Sequence, residues 1–287
     1  MSTPPRSPDK RFTLADLRAA RAAGTKVPVL TCYDYTTAKL MQDAGVPALL
    51  VGDSAANVIL GHPTTLPVTL EFMIEIAAAV RRGAPNCFVV ADMPFGSYAE
   101  PGDAGVANVV RMVKLSGCDC VKLETAAGHA PLVRQLTDAG VAVMAHLGLK
   151  PQSVAVMGGY RFQGRTAADA AEIVEAAELL EGAGAVALLL EAVPPEVGRA
   201  VVEAVGVPVI GCGAGPACHG FVVVTHDLAN LTDRRPKFAP LVGDLAGPTK
   251  AVAAEYARQV VAGEYPAAEH NYEMPAEEKR RFLEPRR

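Results

Sequence analysis

Eight short, nearly continuous apolar runs recur along the chain, and helical patterns fill most of the gaps between them. The runs cover residues 27–34, 48–54, 87–95, 118–124, 141–149, 185–193, 207–215 and 221–227. Each has about the length of a buried strand, and the runs are continuous rather than alternating, as expected of strands covered by helices on both faces. The helical patterns cover 36–44, 70–82, 101–115, 129–139, 167–181 and 195–204, with a last one at 248–262. Most stop at a glycine. The pattern at 195–204 opens on prolines and closes before Gly206, the usual asymmetry of helix ends.

Strands separated by helices build parallel sheets. Eight of them predict an α/β fold, a (β/α)8 TIM barrel. The 287 residues, half of them apolar, lie near the roughly 250 typical of that fold. Only residues 216–220 separate the seventh and eighth runs, too few for a full crossover helix, so an open doubly wound sheet stands as the alternative. The organisation read from this pattern is a tail over 1–10, a single barrel domain over 11–272 and a charged tail over 273–287.

Charge and cysteine usage exclude several classes. The 27 basic and 31 acidic residues are spread along the chain with no basic stripe, which argues against nucleic acid as a partner. The short cluster Lys279-Arg280-Arg281 reads as a solvated tail. Residues 1–10 lack the apolar core of a secretory signal, and no apolar run approaches the roughly 20 residues of a membrane span. Six cysteines in a chain of this size are not a disulfide scaffold. Cys118 and Cys120 form a C-x-C and not a C-x-x-C, and two residues apart on a strand they would share a face and fill core. A cytoplasmic, reducing compartment is expected.

The polar residues fall at one end of the runs. Asp53-Ser54 closes the second, Asp92 lies in the third, Lys122 and Glu124 in the fourth, His146 in the fifth and Glu191 in the sixth. Barrel enzymes build their active sites at the carboxyl ends of several strands. The two-residue period of a strand puts Lys122 and Glu124 on one face, pointing into the barrel mouth if Val121 and Leu123 face the helices. By the same parity Asp53 goes with Leu49 and Val51, and Asp92 with Phe88 and Val90. Taken singly, each is as readily a satisfied strand-end residue or a helix cap. Six together point to a site. A lone buried carboxylate costs several kcal/mol, so Asp53, Asp92 and Glu124 call for partners or a cation, and carboxylates with water suit Mg2+ or Mn2+.

Weaker signals surround this set. Gly211-Cys212-Gly213-Ala214-Gly215 reads as a tight turn or an anion cradle, and lacks the spacing of a nucleotide fingerprint. The long segment after the fifth run, with Gly158-Gly159-Tyr160 and Arg165, is a candidate lid. Arg165 would meet a carboxylate or solvent. His62 and His226 read as structural.

At these residues the sequence resembles the ketopantoate hydroxymethyltransferase family. The resemblance is carried by LTCYDYTTAKL from Leu30, LLVGDS from Leu49, GHPTTLPVT from Gly61 and AAVRRGAPNCFVVADMPFGSY from Ala78. It continues through VKLE from Val121, AHLGLKPQSV from Ala145, GGYRFQGR from Gly158, LLLEAVP from Leu188, PVIGCGAG from Pro208 and PKFA from Pro236. The resemblance implies a barrel of the phosphoenolpyruvate/pyruvate superfamily, Mg2+ (or Mn2+ or a similar divalent ion) as cofactor, and a homo-oligomer, commonly a decamer. It implies a 2-oxo acid, 3-methyl-2-oxobutanoate, as acceptor and 5,10-methylenetetrahydrofolate as co-substrate. By motif, Asp53, Asp92 and Glu124 take the metal positions. Asp53, Ser54, Asp92, Lys122 and His146 take substrate-binding positions, and Glu191 takes that of the general base.

The sequence departs from the family at Ala55-Ala56, Thr125-Ala126 and His219-Gly220-Phe221, and in its ending, residues 275–287. With His219 read as standing near the mouth in place of an acid, a change in donor choice is expected. Two other readings compete. One is a superfamily paralogue acting as a metal-dependent 2-oxo acid lyase or decarboxylase without folate. The other is an inactive barrel serving as a scaffold, against which the intact carboxylates argue.

Overall fold

The computed structural model describes residues 10–99 and 104–284. The chain opens with α1 (Leu14–Ala22), β1 (Val27–Thr31), α2 (Tyr35–Asp43), β2 (Ala48–Val51), α3 (Ala55–Val58), α4 (Leu70–Gly83) and β3 (Phe88–Asp92). It continues with α5 (Ala104–Ser116), β4 (Cys120–Glu124), α6 (Ala130–Asp138), β5 (Val143–Gly148), α7 (Ala167–Gly182) and β6 (Ala187–Glu191). The rest is α8 (Pro195–Ala204), β7 (Val209–Cys212), β8 (Gly220–Val223), α9 (Thr225–Leu228), α10 (Ala246–Val261) and α11 (Ala276–Leu283). Residues 1–9 of the expected amino-terminal tail, the expected helix start at Pro101 and residues 285–287 lie outside the described residues.

The eight strands form one closed parallel barrel in chain order, with β8 pairing β1 through Val27 and Gly220. That pairing excludes the open sheet. The β7–β8 connection carries no helix. Residues 213–219 return directly, which suffices because a strand of four residues is only about 13 Å long at 3.3 Å per residue. The expected runs overshoot the strands because their carboxyl ends continue into the loops: 27–34 becomes Val27–Thr31, and 48–54 becomes Ala48–Val51.

Two apolar layers follow from strand parity. Val27, Val29, Leu50, Phe88, Val90, Cys120, Met144, Leu189 and Ile210 fill the barrel interior. Leu49, Val51, Val89, Val121, Leu123, Leu188 and Leu190 face the helices. The expectation that Cys118 and Cys120 share a face does not hold. Cys118 precedes β4, where strand parity no longer applies, and it packs in the outer layer while Cys120 packs inside.

α1 closes the amino-terminal end of the barrel. Its Leu17, with Phe12, joins the interior layer, and Arg11 reaches Asp119 just before β4. Thr13, Asp34, Thr69 and Thr166 each cap a helix by accepting a backbone N–H of its first turn. At the other extreme, none of the residues of α10 is buried, with Val252 at 72% and Val261 at 89% exposed. On β8 the outward Phe221 is 37% exposed. The carboxy-terminal stretch expected as a charged tail carries α11.

Candidate active site

Along four neighbouring strands the inward positions change character from bottom to top. Phe88 and Val90 lead to Asp92, Cys120 to Lys122 and Glu124, Met144 to His146, and Leu189 to Glu191. Strand pairing then sets Asp92 beside Lys122 and Glu124 beside His146. Asp53 arrives by another route. Leu49 and Val51, whose parity it was expected to follow, face outward. β2 ends at Val51, so the turn after it, and not strand alternation, swings Asp53 into the cup.

The side chains form one connected network. Lys122 Nζ lies 3.2 Å from Asp92 Oδ2 and 3.1 Å from His146 Nδ1. The backbone N–H of Asp53 donates to Asp92 Oδ2 at 3.0 Å. His146 Nε2 lies 3.3 Å from Glu191 Oε2 but out of line for a hydrogen bond. Apart from that network, Ser54 Oγ meets Tyr33 Oη at 2.9 Å. The residue that ties the set together, Gln152, was not singled out in the sequence. Its Nε2 donates to Asp53 Oδ2 (2.8 Å) and to the Met93 carbonyl (2.9 Å), its backbone N–H donates to Glu124 (2.9 Å), and Tyr98 Oη donates to its Oε1 (3.0 Å). The only sequence signal for Gln152 was its place in AHLGLKPQSV.

Burial governs the charges. It raises Asp92 to about 7, partly offset by the Lys122 ammonium, and raises Glu124 to about 8 against the same offset. It raises Glu191 to about 7, again with Lys122 pulling the other way. Burial also works against the charge on Lys122, but Asp92, Asp53, Glu124 and Glu191 outweigh it and hold the amine above the usual lysine range. His146 is pushed well below its usual range by burial and by Lys122, so it is neutral. An ammonium cannot accept a hydrogen bond, so His146 Nδ1 accepts from Lys122 and the ring proton sits on Nε2, toward Glu191.

These groups open onto a cavity of about 630 Å3 lined by Asp53, Ser54, Asp92, Lys122, His146 and Glu191 among others, though not by Glu124. On three of its lining residues a buried polar atom lacks a hydrogen-bond partner among the described residues: Thr65 Oγ1, Asp92 Oδ1 and His146 Nε2. Backbone constraints fix the wall carrying Glu191. Gly148 has φ +90°, and a Cβ there would collide with the Glu191 carbonyl. Ala192 adopts φ 47°, a conformation that costs a non-glycine residue about 1–3 kcal/mol. Its N–H donates to the Cys212 carbonyl and its carbonyl accepts from Gln163.

Among the described residues, no three His, Cys, Asp or Glu side chains form a metal cage by themselves. Gln152 bridges Asp53 and Glu124. Mg2+ is usually held by one or two carboxylates, with waters and substrate oxygens completing its shell. The unpartnered Asp92 Oδ1, next to Asp53 in a site with four carboxylates and one ammonium, fits such a hard cation. The donors do not fit zinc, which wants Cys or His in numbers absent here.

Two expectations need correction or narrowing. His219 does not stand near the mouth. It precedes β8 at the amino-terminal end, where its Nδ1 accepts from the Val209 N–H and its carbonyl accepts from Val27, so it alters no charge at the site. Gly213 and Gly215 are turn residues with φ +72° and +79°, Gly213 lying under the Phe238 ring. In the long segment after β5, Tyr160 and Phe162 line the cavity, and Arg165 lies over the Phe162 ring at 5.0 Å.

A profile of the ketopantoate hydroxymethyltransferase family matches residues 11–268. The 3-methyl-2-oxobutanoate hydroxymethyltransferase of Oleidesulfovibrio alaskensis is 44% identical over 276 residues, spanning 96% of this chain and 95% of that one. Its counterpart in Thermobifida fusca is 44% identical over 268 residues, 93% of this chain and 95% of that one. Among solved structures, 2,3-dimethylmalate lyase, of the PEP mutase/isocitrate lyase superfamily, superposes with a TM-score of 0.57 at 20% identity over 93% of both chains. Phosphonopyruvate hydrolase, in complex with oxalate and Mg2+, superposes with a TM-score of 0.58 at 17% identity over 95% of this chain and 98% of that one. These structures share the fold.

Proposed function

The chain belongs to the ketopantoate hydroxymethyltransferase family and is an enzyme of that type, and from that premise we propose that it moves a one-carbon unit from 5,10-methylenetetrahydrofolate to 3-methyl-2-oxobutanoate. The products are 2-dehydropantoate and tetrahydrofolate, with one water supplying the hydroxyl oxygen. The observation that carries this reading is the pair of unpartnered buried atoms, Asp92 Oδ1 and His146 Nε2, on two residues that line one cavity together with a carboxylate held near 7.

Asp53, Asp92 and Glu124 would hold the divalent ion, with Gln152 fixing two of the three carboxylates. When bound, such an ion withdraws charge from a chelated keto oxygen and carboxylate and so acidifies the neighbouring C–H. The remaining steps belong to the chain's own groups. Lys122 supplies a permanent positive charge beside the same oxygens. The Nε2–H of neutral His146 donates to a substrate oxygen, and Ser54, steadied by Tyr33, adds a hydroxyl at the rim. Glu191 removes the C3 proton. Burial makes it a stronger base than a solvated glutamate, with a pKa suited to neutral pH. One C–N bond of the methylene bridge breaks as the enolate carbon attacks and the other as water attacks, so that a C–C and a C–O bond replace them. Each electron pair leaves with a folate nitrogen, and the C3 proton and one water proton end on the two nitrogens.

Homo-oligomerisation belongs to the same proposal. A helix of sixteen residues with none buried, bearing Val252, Tyr256 and Val261, supports assembly with other copies, a decamer as the family resemblance implies. Six buried cysteines, none in a disulfide among the described residues, support a reducing, cytoplasmic setting. No helix among the described residues is long and apolar enough to cross a membrane.

Solvent-deuterium exchange into C3 of the oxo acid, with and without Mg2+, tests the proposal alongside net transfer with and without methylenetetrahydrofolate. Exchange that needs only Mg2+, with consumption of the oxo acid that needs both, is expected. Consumption without folate would replace this reading with a lyase or decarboxylase, and absence of exchange would remove the enolate.

A further inference from the structure

A carboxylate can offer a divalent ion one oxygen or two. In this cup the protein already holds one oxygen of both Asp53 and Asp92, which line the cavity. Asp92 Oδ2 accepts the Asp53 N–H at 3.0 Å and lies 3.2 Å from Lys122 Nζ, while its Oδ1 has no partner among the described residues. Asp53 Oδ2 accepts from Gln152 Nε2 at 2.8 Å, and no hydrogen bond among the described residues uses its Oδ1. Glu124, which does not line the cavity, receives the Gln152 N–H across both its oxygens, at 2.9 and 3.2 Å. Each aspartate therefore has a single oxygen left for a cation.

Gln152 enforces this at Asp53, and its amide is held in one orientation. It is buried in a short helical turn, Pro151–Ser153, soon after β5. Its Nε2 meets the Asp53 carboxylate at 2.8 Å and the Met93 carbonyl at 2.9 Å, and both of these accept. Its Oε1 accepts from Tyr98 Oη at 3.0 Å. A flipped amide would set oxygen against oxygen at Asp53 and at Met93. Gln152 does not itself line the cavity, so whatever it does there it does through Asp53 and Glu124.

The two common hard cations use such a set differently. Mg2+ demands a near-ideal octahedron and is held by one or two carboxylates, with water and substrate oxygens completing its shell. Ca2+ takes about six to eight oxygens in a looser shell and readily binds a carboxylate through both. Resting on the reading of Asp53, Asp92 and Glu124 as the carboxylates that hold the ion, we propose that Gln152 is a positioning residue that sets the choice of ion. By keeping Asp53 Oδ2 for itself it makes Asp53 a one-oxygen ligand, which suits Mg2+ and denies Ca2+ the wider shell. For Ca2+ to take both oxygens, the bond from Gln152 must break, and a hydrogen bond to a charged group is worth about tenfold or more in affinity.

The test measures equilibrium binding of Mg2+ and of Ca2+ to the full chain by calorimetry, with and without 3-methyl-2-oxobutanoate. The unaltered enzyme is expected to bind Mg2+ more tightly than Ca2+, a comparison that needs no variant. Gln152→Met keeps the length of the side chain and removes its amide, and Ca2+ should then gain on Mg2+ by about tenfold in the ratio of the two affinities. The ratio cancels general damage to the site, which would weaken both ions alike. Should Gln152→Met not fold, Tyr98→Phe loosens the same amide from its far side and should move the ratio in the same direction by less. Infrared difference spectra of the carboxylate stretches, which separate one-oxygen from two-oxygen ligation, should show two-oxygen ligation of Ca2+ in the Gln152 variant and not in the unaltered enzyme. Ca2+ bound as tightly as Mg2+ by the unaltered enzyme, or an unchanged ratio in the folded variant, overturns the role of Gln152 and leaves the functional reading intact. If neither ion binds in either condition, the metal-holding reading itself falls.

Discussion

The two ends of the barrel are built from the same strands and the same inward parity, and they share almost nothing else. At the amino-terminal end, Phe88, Val90, Met144 and Leu189 meet Phe12 and Leu17 of the entering segment, and the interior is a packed apolar plug. Two residues further along, the same faces carry Asp92, His146 and Glu191, joined by Lys122 and Glu124 from β4. The step from one regime to the other is a single strand repeat, about 7 Å. The difference teaches that stability and chemistry are separated along the strand axis: one end holds the barrel closed while the other tolerates charges that burial penalises.

The largest effects come from exchanging the rules of the two ends. Glu191→Gln removes the group proposed to take the C3 proton and is expected to lower Mg2+-dependent deuterium exchange by about 10²–10⁴. Thermal stability should hold or rise, because a neutral isostere escapes the burial penalty on the carboxylate. Retained exchange would take Glu191 out of the base role. At the other end, Phe88→Ala is expected to cost about 3–5 kcal/mol in chemical denaturation, the usual range for emptying a buried aromatic position. Phe88 does not line the active-site cavity, so exchange per folded molecule should be unchanged. A fall in exchange without loss of stability would dissolve the separation.

A smaller effect sharpens the mouth. Burial holds Glu191 near 7, with Lys122 pulling the other way. A base works only when ionised, so the exchange rate should climb with pH, about tenfold per unit below 7, and level off above it. A profile already flat from about pH 5.5 would mean that Glu191 titrates as an ordinary solvated glutamate and that burial does not tune it.

The same division explains what was legible in the sequence. The eight strand candidates were visible because every inward and outward strand position is apolar except at one end, so the exceptions, Asp92, Lys122, Glu124, His146 and Glu191, announced themselves by strand parity. Asp53 was found by motif and placed by the wrong argument, since parity stops where β2 stops, at Val51. His219 was misplaced for the same reason: a connection without a helix hides which end of the barrel a residue returns to. Gln152 escaped notice because an uncharged amide carries no signature of burial in a sequence. Its role exists only once the loop after β5 folds back over Asp53 and Glu124. Likewise α1 was missed because a nine-residue helix that plugs a barrel buries a single residue, Leu17, and so shows no apolar stripe.

That helix supplies the smallest and cleanest test. The N–H of Thr13 donates to Asp16 Oδ2 at 2.9 Å while its own Oγ1 accepts the N–H of Asp16, a reciprocal cap on the helix that presses Leu17 into the floor. Thr13→Ala breaks the reciprocity and should cost about 1 kcal/mol, roughly 2–4 °C in melting temperature for a chain of this size. Leu17 would still reach the interior, because the cap sets the helix's stability and not its direction, and the loss should appear only as earlier unfolding of the whole barrel. Deuterium exchange at C3, measured well below the transition, should be indistinguishable from that of the unaltered enzyme. If exchange instead falls with the cap, the floor is felt at the mouth through the one strand repeat between them, and the two ends do not operate independently.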